Sequence, residues 1–181
     1  MKPFEKELKK LSPDNFIGGS SLQNTCRTVS IEDGDTVFLK CAWLKNTRGW
    51  DRVRFEFRDI DAPEVIDNEE ARAQAKRLGI PLETLIELGG KSKAYVESKL
   101  PLKQKVRLVG FSTTDKTNPT LSGYLWLEKE KANLNLLMVR DGQAMAKIDR
   151  AYSGNGSRAP EIRKAARRAK EAGRGIWAVV D

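Results

Sequence analysis

Histidine is absent from this 181-residue sequence, and cysteine occurs only twice. Without an imidazole, the chain cannot build a Ser-His-Asp triad, a Cys-His pair, an HExxH zinc site or any other histidine-based metal centre. Two cysteines are also too few for a cysteine-rich zinc or iron–sulfur site. Any acid–base or metal chemistry must therefore come from Asp, Glu, Lys, Arg or Tyr.

Long apolar stretches are missing as well, because the sequence has no run of 18 apolar residues that could cross a membrane. The first 11 residues are polar and amphipathic, without the apolar centre of a signal peptide. We therefore expect no membrane partner, and either a cytoplasmic protein or the mature form of a secreted one. The length suits a single domain with a real core, which we expect to be a monomer.

Basic residues outnumber acidic ones, 33 against 25, which gives a formal net charge of +8. Such an excess is typical of proteins with a polyanionic partner, most often nucleic acid, although it also serves solubility alone. Half of the excess lies in residues 151–181, which contain seven basic and three acidic residues around a predicted helix at 160–172. That helix either contacts backbone phosphates or presents an ordinary solvated face.

Hydrophobic periodicity divides the chain into strands, then helices, then further strands. Alternating apolar residues predict strands at 26–31, 36–41, 51–60, 105–111 and 121–127, with a last short strand at 144–148. Helical patterns occupy 3–11, 69–79, 82–99, 133–140 and 160–172. This order suits a five-stranded Greek-key barrel, a fold that binds polyanions across one face. We therefore predict an α+β domain at 25–181, with an N-terminal arm at 1–24 and a helical insertion at about 66–88.

The first two strands are joined by a turn signal, Asp33-Gly34, which is typical of a two-residue hairpin loop. With that loop, Cys26 faces Cys41 across the two strands. Residues directly opposite each other have Cα atoms about 4.5–5.5 Å apart, which is within reach of a disulfide. We therefore predict that the two cysteines are close and can form a disulfide, although this register makes them a hydrogen-bonded pair, the less favourable site for the bond.

Four linked motifs then carry a resemblance to a known family. They are DGDTV at 33–37, IDAPE at 60–64, LLMVRDGQA at 136–144, and GIW at 175–177 after the basic helix. In this order and spacing they resemble the staphylococcal nuclease-like (thermonuclease) family over roughly residues 25–179. The resemblance implies an OB-type barrel with about three packed helices. It also implies a calcium-dependent nuclease that cuts phosphodiester bonds in DNA and RNA.

Three acidic residues are the candidates for the chemistry. Asp35 begins one strand and Asp61 ends another, so pairing of these strands places both carboxylates at one end of the barrel. Two carboxylates and a backbone carbonyl are the hard oxygen ligands that Ca²⁺ prefers. Glu64 follows across a rigid Pro63 turn and can act as a general base. The resemblance assigns calcium to Asp35 and Asp61 and water activation to Glu64; the alternative makes Asp35 a turn residue and Glu64 a helix N-terminal charge.

The sequence departs from the family at two arginines that grip the phosphate. The residue five positions before Asp61 is Glu56, and the residue four positions before Tyr124 is Thr120. Loss of one preorganised donor costs about 10²–10³ in rate, so we expect weak or altered activity. Arg54 and Arg58 share a strand face with Glu56, and a bulge would let either act as the catalytic cation.

The alternative to a catalytic role for the face that carries Arg54 and Arg58 is a solvated ladder of ion pairs between neighbouring strands.

Three further residues are candidate substrate contacts through the resemblance. Lys116 matches a family lysine that precedes the fifth strand, whereas Arg150 and Tyr152 lie near the positions of substrate-binding tyrosines.

The insertion at about 66–88 is longer than the loop of the family. Asp67 followed by Glu70 predicts the capped start of its first helix. The insertion either forms a lid beside the site or elaborates the outer surface.

Three functions remain open: a weak or altered calcium-dependent phosphodiesterase, a catalytically inactive barrel that binds nucleic acid or protein, and an interaction protein that recruits a partner through its arm and insertion.

Overall fold

The computed structural model describes residues 11–12, 25–41, 52–113, 120–147 and 158–180. Most of the predicted arm and its helix lie outside these residues. The described strands are β1 (Thr25–Ile31), β2 (Thr36–Cys41), β3 (Val53–Phe57), β4 (Ile60–Asp61), β5 (Lys105–Thr113), β6 (Thr120–Leu127), β7 (Ala132–Asn133) and β8 (Met145–Ala146). The described helices are α1 (Glu69–Leu78), α2 (Leu82–Lys99), α3 (Leu134–Arg140) and α4 (Ala159–Glu171), followed by a 3₁₀ helix at Gly175–Ala178.

Five strands close into a mixed barrel in the order β3-β2-β1-β5-β6. Neighbouring strands in this order are antiparallel, and parallel pairing of β3 with β6 closes the barrel. The alternating pattern of β3 suits a barrel strand with one face toward the core. Its apolar residues Val53, Phe55 and Phe57 are buried, whereas Arg54 and Glu56 reach the surface. The predicted α+β fold with an OB-type barrel is confirmed.

The disulfide prediction holds, but the turn prediction does not. Cys26 and Cys41 are bonded with their Cα atoms 4.2 Å apart, a distance closer to that of a non-hydrogen-bonded pair than to the predicted hydrogen-bonded one. A bulge between Thr28 and Ser30 shifts the register, so that Ile31 pairs with Val37. The loop at 33–35 is therefore one residue longer than the predicted Asp33-Gly34 turn.

The first helix of the insertion begins at Glu69, as predicted, but its cap is one residue later than predicted. Asn68, and not Asp67, is the N-cap, and its side-chain oxygen accepts a hydrogen bond of 2.7 Å from the Ala71 amide. Asp67 instead forms a 2.8 Å ion pair with Arg72 on the helix surface. The second helix, α2, continues without a break through the adjacent glycines Gly89 and Gly90.

A small second sheet brings the C-terminal part of the chain to the barrel. β4 pairs with β8, so that Asp61 lies opposite Met145. α4 packs against α3, and the 3₁₀ helix returns to the loop after α3 through a 2.8 Å bond from the Ile176 amide to the Gly142 carbonyl. Among the described residues, no helix is long and apolar enough to cross a bilayer.

Candidate active site

A cavity of about 490 Å³ opens at the end of the barrel where β2 begins and β3 and β4 end. All five predicted metal and catalytic residues line it: Asp35, Arg54, Arg58, Asp61 and Glu64. The complete lining contains eight acidic residues and three basic ones. The protein as a whole is basic, so this acidic cavity is a local reversal of charge that favours a cation.

The β1–β2 loop reaches the cavity because a glycine permits close contact. A Cβ on Gly34 would lie 2.6 Å from the Ala62 Cβ and 2.8 Å from the Ser92 Cβ. This contact places Asp35 beside the end of β4, where its Oδ2 accepts a 2.7 Å hydrogen bond from the Ala62 amide. The predicted meeting of the two strand ends is therefore seen in the geometry.

The carboxyl of Asp35 is in an unfavourable environment for its negative charge. The side chain lines the cavity and is only partly accessible to solvent. Burial, followed by repulsion from Asp33, raises the pKa of Asp35 to about 8, and Asp61 adds further repulsion. The Ala62 amide acts in the opposite direction. A cation in the cavity would relieve this charge.

Asp61 is largely buried, and α1 supplies its partners. The Asp61 Oδ2 lies 2.7 Å from Arg77, and its Oδ1 accepts a 3.2 Å hydrogen bond from Gln74. Gln74 Nε2 also donates to the Ala62 carbonyl at 3.0 Å, and Lys147 lies 3.8 Å from Asp61. The insertion therefore covers one candidate calcium ligand with polar and basic side chains.

Glu64 is positioned by the start of the insertion. Its amide donates to Gln74 Oε1 at 3.0 Å, and its Oε2 accepts a 2.9 Å bond from Asn68 Nδ2. The backbone of Glu64 also lies against α2 at Gly89, where an added Cβ would come within 2.1 Å of the Glu64 carbonyl oxygen. Two helices therefore fix the orientation of the predicted general base.

The two predicted catalytic arginines have different environments. Arg54 is at the cavity rim, where it forms ion pairs with Glu56 and, at 3.3 Å, with Glu32. The Arg58 guanidinium donates hydrogen bonds to the Gly110 carbonyl of β5 at 2.7 Å and to the Ser122 carbonyl of β6 at 2.8 Å. These bonds connect the end of β3 to two other strands of the barrel. β3 pairs with β2 without interruption, so the described strand has no bulge of the kind that would move Arg54 or Arg58 into the vacant place.

The candidate substrate contacts Lys116, Arg150 and Tyr152 lie outside the described residues. Sequence reasoning missed Asn68, Gln74, Arg77 and Lys147, all of which contact Asp61 or Glu64 or line the cavity. One signal was available for Gln74: it is a polar residue within the apolar stripe formed by residues 71, 75 and 78 of α1.

The oxygen donors of Asp35 and Asp61 fit calcium chemically, because both are carboxylates and because burial and two acidic neighbours disfavour the negative charge of Asp35. Among the residues that the structure describes, no cluster of three acidic or cysteine side chains is arranged to hold a metal ion. A cation at this place would therefore depend on Asp35, Asp61 and oxygen atoms other than a third carboxylate.

A mixed five-stranded barrel with helices around it is an OB-type α+β fold, and this one has an acidic cavity at one end. Comparison with known families agrees, because the model for staphylococcal nuclease homologues matches residues 54–179. A protein named "Uncharacterized endonuclease" from Haemophilus influenzae strain Rd is 33% identical over 156 residues, which cover 86% of this chain and 67% of that protein. The chain belongs to the staphylococcal nuclease homologue family.

Proposed function

We propose that this protein is a calcium-dependent phosphodiesterase that cleaves nucleic acid in the acidic cavity. The observation that carries the proposal is the convergence of Asp35, Asp61 and Glu64 on one cavity at the barrel end. Membership of the nuclease family supports it, as does the endonuclease name of the Haemophilus influenzae relative. Calcium would be held by Asp35 and Asp61 and, when bound, would neutralise charge and polarise a phosphoryl oxygen.

Glu64 is the proposed general base. Asn68 holds one carboxylate oxygen, and the Gln74 contact holds the amide, so the side chain keeps one orientation toward the cavity. In that orientation Glu64 accepts a proton from the attacking water as its oxygen bonds to phosphorus, while the P–O bond to the leaving sugar oxygen breaks and that oxygen takes a proton from solvent water. Positioning of this kind is needed because a displacement of about 1 Å can cost about 10² in rate.

Arg54 is the proposed phosphate contact. It lies at the rim of the cavity, and Glu32 and Glu56 hold its guanidinium in place. The same carboxylates offset the positive charge of Arg54 and repel a phosphate. Arg54 therefore attracts a phosphate less strongly than two arginines without acidic neighbours would. We therefore propose a slow enzyme, because Glu56 and Thr120 stand where the family has its arginines.

The second candidate function is a catalytically inactive barrel that binds nucleic acid. The observation that favours it is the occupation of Asp61 by Arg77 and Gln74, which places protein donors where a cation would bind. A plasmid-nicking assay separates the two functions. Cleavage that requires calcium and stops with chelator supports the enzyme, whereas tight binding without cleavage under both conditions supports the binding module.

A further inference from the structure

A second cavity of about 700 Å³ lies between α1, β8, α4 and the C-terminal segment. It shares Asp61, Glu70 and Lys147 with the acidic cavity, so the two cavities adjoin at these residues. We call it the basic groove. A polymer that is held at Glu64 and extends past Asp61 would enter this groove.

The charges of the basic groove are opposite to those of the acidic cavity. Four basic residues, Arg77, Lys147, Arg167 and Lys170, line it with only two acidic ones. Arg167 is 71% exposed, and its nearest carboxylate, on Glu171, lies 3.8 Å away, an arrangement that holds the guanidinium only weakly. Arg167 and Lys170, both on α4, therefore remain available to a polyanion, whereas Arg77 on α1 and Lys147 after β8 also pair with Asp61.

The floor of the basic groove is apolar. Leu78, Met145, Ala166 and Trp177 line it, and the Lys170 ammonium lies 5.2 Å from the centre of the Trp177 ring. Basic walls around an apolar floor suit a chain that has both phosphates and accessible base faces. A single-stranded polynucleotide has both, whereas a duplex keeps its base faces stacked inside.

We propose that the basic groove binds the part of a single-stranded polynucleotide that extends from the cleavage position. This inference rests on the proposed function and deepens it, because it names a second binding region and the form of the substrate. Arg167 and Lys170 contact the phosphates farthest from the acidic cavity. Lys147, at the junction of the two cavities, contacts the phosphate between them.

The test measures binding of labelled single-stranded oligonucleotides by fluorescence anisotropy in chelator. Lengths of about 4 and about 12 nucleotides are compared, because only the longer can fill both cavities. The groove variant carries Arg167→Glu and Lys170→Glu. The charge-matched control carries Lys105→Glu and Lys129→Glu, two exposed lysines outside the lining of both cavities. Arg167→Gln with Lys170→Gln is a milder second variant, and circular dichroism checks the fold of each.

We expect the groove variant to bind the longer oligonucleotide at least tenfold more weakly and to lose the gain in affinity with length. Its salt dependence should fall by about 1.4 in the slope of log K against log salt, because each of the two lost phosphate contacts contributes about 0.7. The glutamine variant should show a smaller loss in the same direction. DNA and RNA are tested separately, and a loss with either supports the proposal.

Equal losses in the groove variant and the control would overturn the proposal, since they would report net charge alone. A duplex of the same length that binds as tightly as the single strand, with the same loss in the variant, would overturn the single-strand assignment. The assay needs no cleavage and contains no free calcium, so a failure of groove binding is distinct from a failure of nuclease activity.

Discussion

The guanidinium of Arg77 lies 2.7 Å from Oδ2 of Asp61, the carboxylate predicted to bind calcium. The Arg77 side chain is 52% exposed and that of Asp61 only 12%, so the arginine can leave more easily than the carboxylate. Arg77 belongs to the insertion, which therefore provides a tethered cation at the candidate metal site. A calcium ion has to displace this cation or share Asp61 with it.

Replacing Arg77 should therefore strengthen calcium binding. We expect Arg77→Gln to lower the calcium dissociation constant about three- to fivefold, because an exposed ion pair contributes up to about 1 kcal/mol. The measurement is the calcium-dependent rise in melting temperature. Arg72→Gln is the control, since Arg72 is on the same helix but pairs with Asp67.

The same titration identifies the site. Asp35→Ala should remove the calcium response that wild type shows. If Arg77→Gln binds calcium no more tightly than Arg72→Gln does, Arg77 does not compete with the ion. An unchanged response in Asp35→Ala would place calcium elsewhere.

The two adjacent glycines of α2 should respond in opposite directions. Gly89→Ala should destabilise the protein by about 1–3 kcal/mol, because its Cβ would meet the Glu64 carbonyl at 2.1 Å. Cleavage should fall at least tenfold as Glu64 moves. Gly90→Ala meets nothing within 4 Å and should stabilise α2 by about 0.5–1 kcal/mol. Denaturant unfolding measures both, and equal effects would contradict the packing of Glu64 against Gly89.

Arg54 and the missing arginines can be tested in one cleavage assay. Arg54→Gln should reduce calcium-dependent cleavage about 10²-fold, because it removes a donor to the developing charge on phosphate. Glu56→Arg with Thr120→Arg should raise cleavage at least tenfold, which requires return of about 1.4 kcal/mol of transition-state stabilisation. Thr120 lies opposite Arg54 in the β3–β6 pairing, so the new side chain starts beside the cavity rim.

Brisk wild-type cleavage that is insensitive to Arg54→Gln would contradict this assignment of the phosphate contact. A double arginine variant that harms cleavage would show that Glu56 is needed to hold Arg54. Arg58→Lys provides a contrast, because the Arg58 bonds to Gly110 and Ser122 should make its main effect a loss of stability.

We expect the free energy of unfolding in acid to depend on the ionisation of Asp141, the residue that follows α3. Burial acts to raise its pKa, but hydrogen bonds from Arg140 and from Tyr95, at 2.6 Å, outweigh burial and lower it. A lowered pKa in the folded state means that Asp141 stabilises the protein above its ordinary pKa, near 4, and that this contribution disappears as the pH falls below it. Asp141→Asn should cost about 1 kcal/mol at neutral pH, after allowance for solvent screening, and nothing near pH 2. Urea unfolding across this pH range measures the difference, and a constant cost would contradict the prediction.

Much of the fold and the centre of the site could be predicted from sequence, for a physical reason. Strand alternation is local, and Asp35, Asp61 and Glu64 lie at or near strand ends that the barrel must bring together. The partners from α1 could not be predicted in the same way. Gln74 and Arg77 reach Asp61 only because of how the insertion docks, and helix periodicity does not encode that docking. The bulge at residue 29 lies between the cysteine pair and the turn, and it offsets the extra residue in the loop. Cys26 therefore pairs with Cys41 just as it would with a two-residue turn and no bulge, so the cysteine pairing gave no sign of it.

The most direct test of the central claim compares Glu64→Gln with Glu69→Gln. Glu69 is also at the start of the insertion but is exposed and outside the cavity lining. Both variants are assayed with wild type on a labelled polynucleotide, in calcium and in chelator. The account predicts that Glu64→Gln lowers calcium-dependent cleavage by about 10²–10⁴ while Glu69→Gln cleaves as wild type does. Cleavage that survives Glu64→Gln, or that continues in chelator, would contradict a calcium-dependent nuclease site in this cavity.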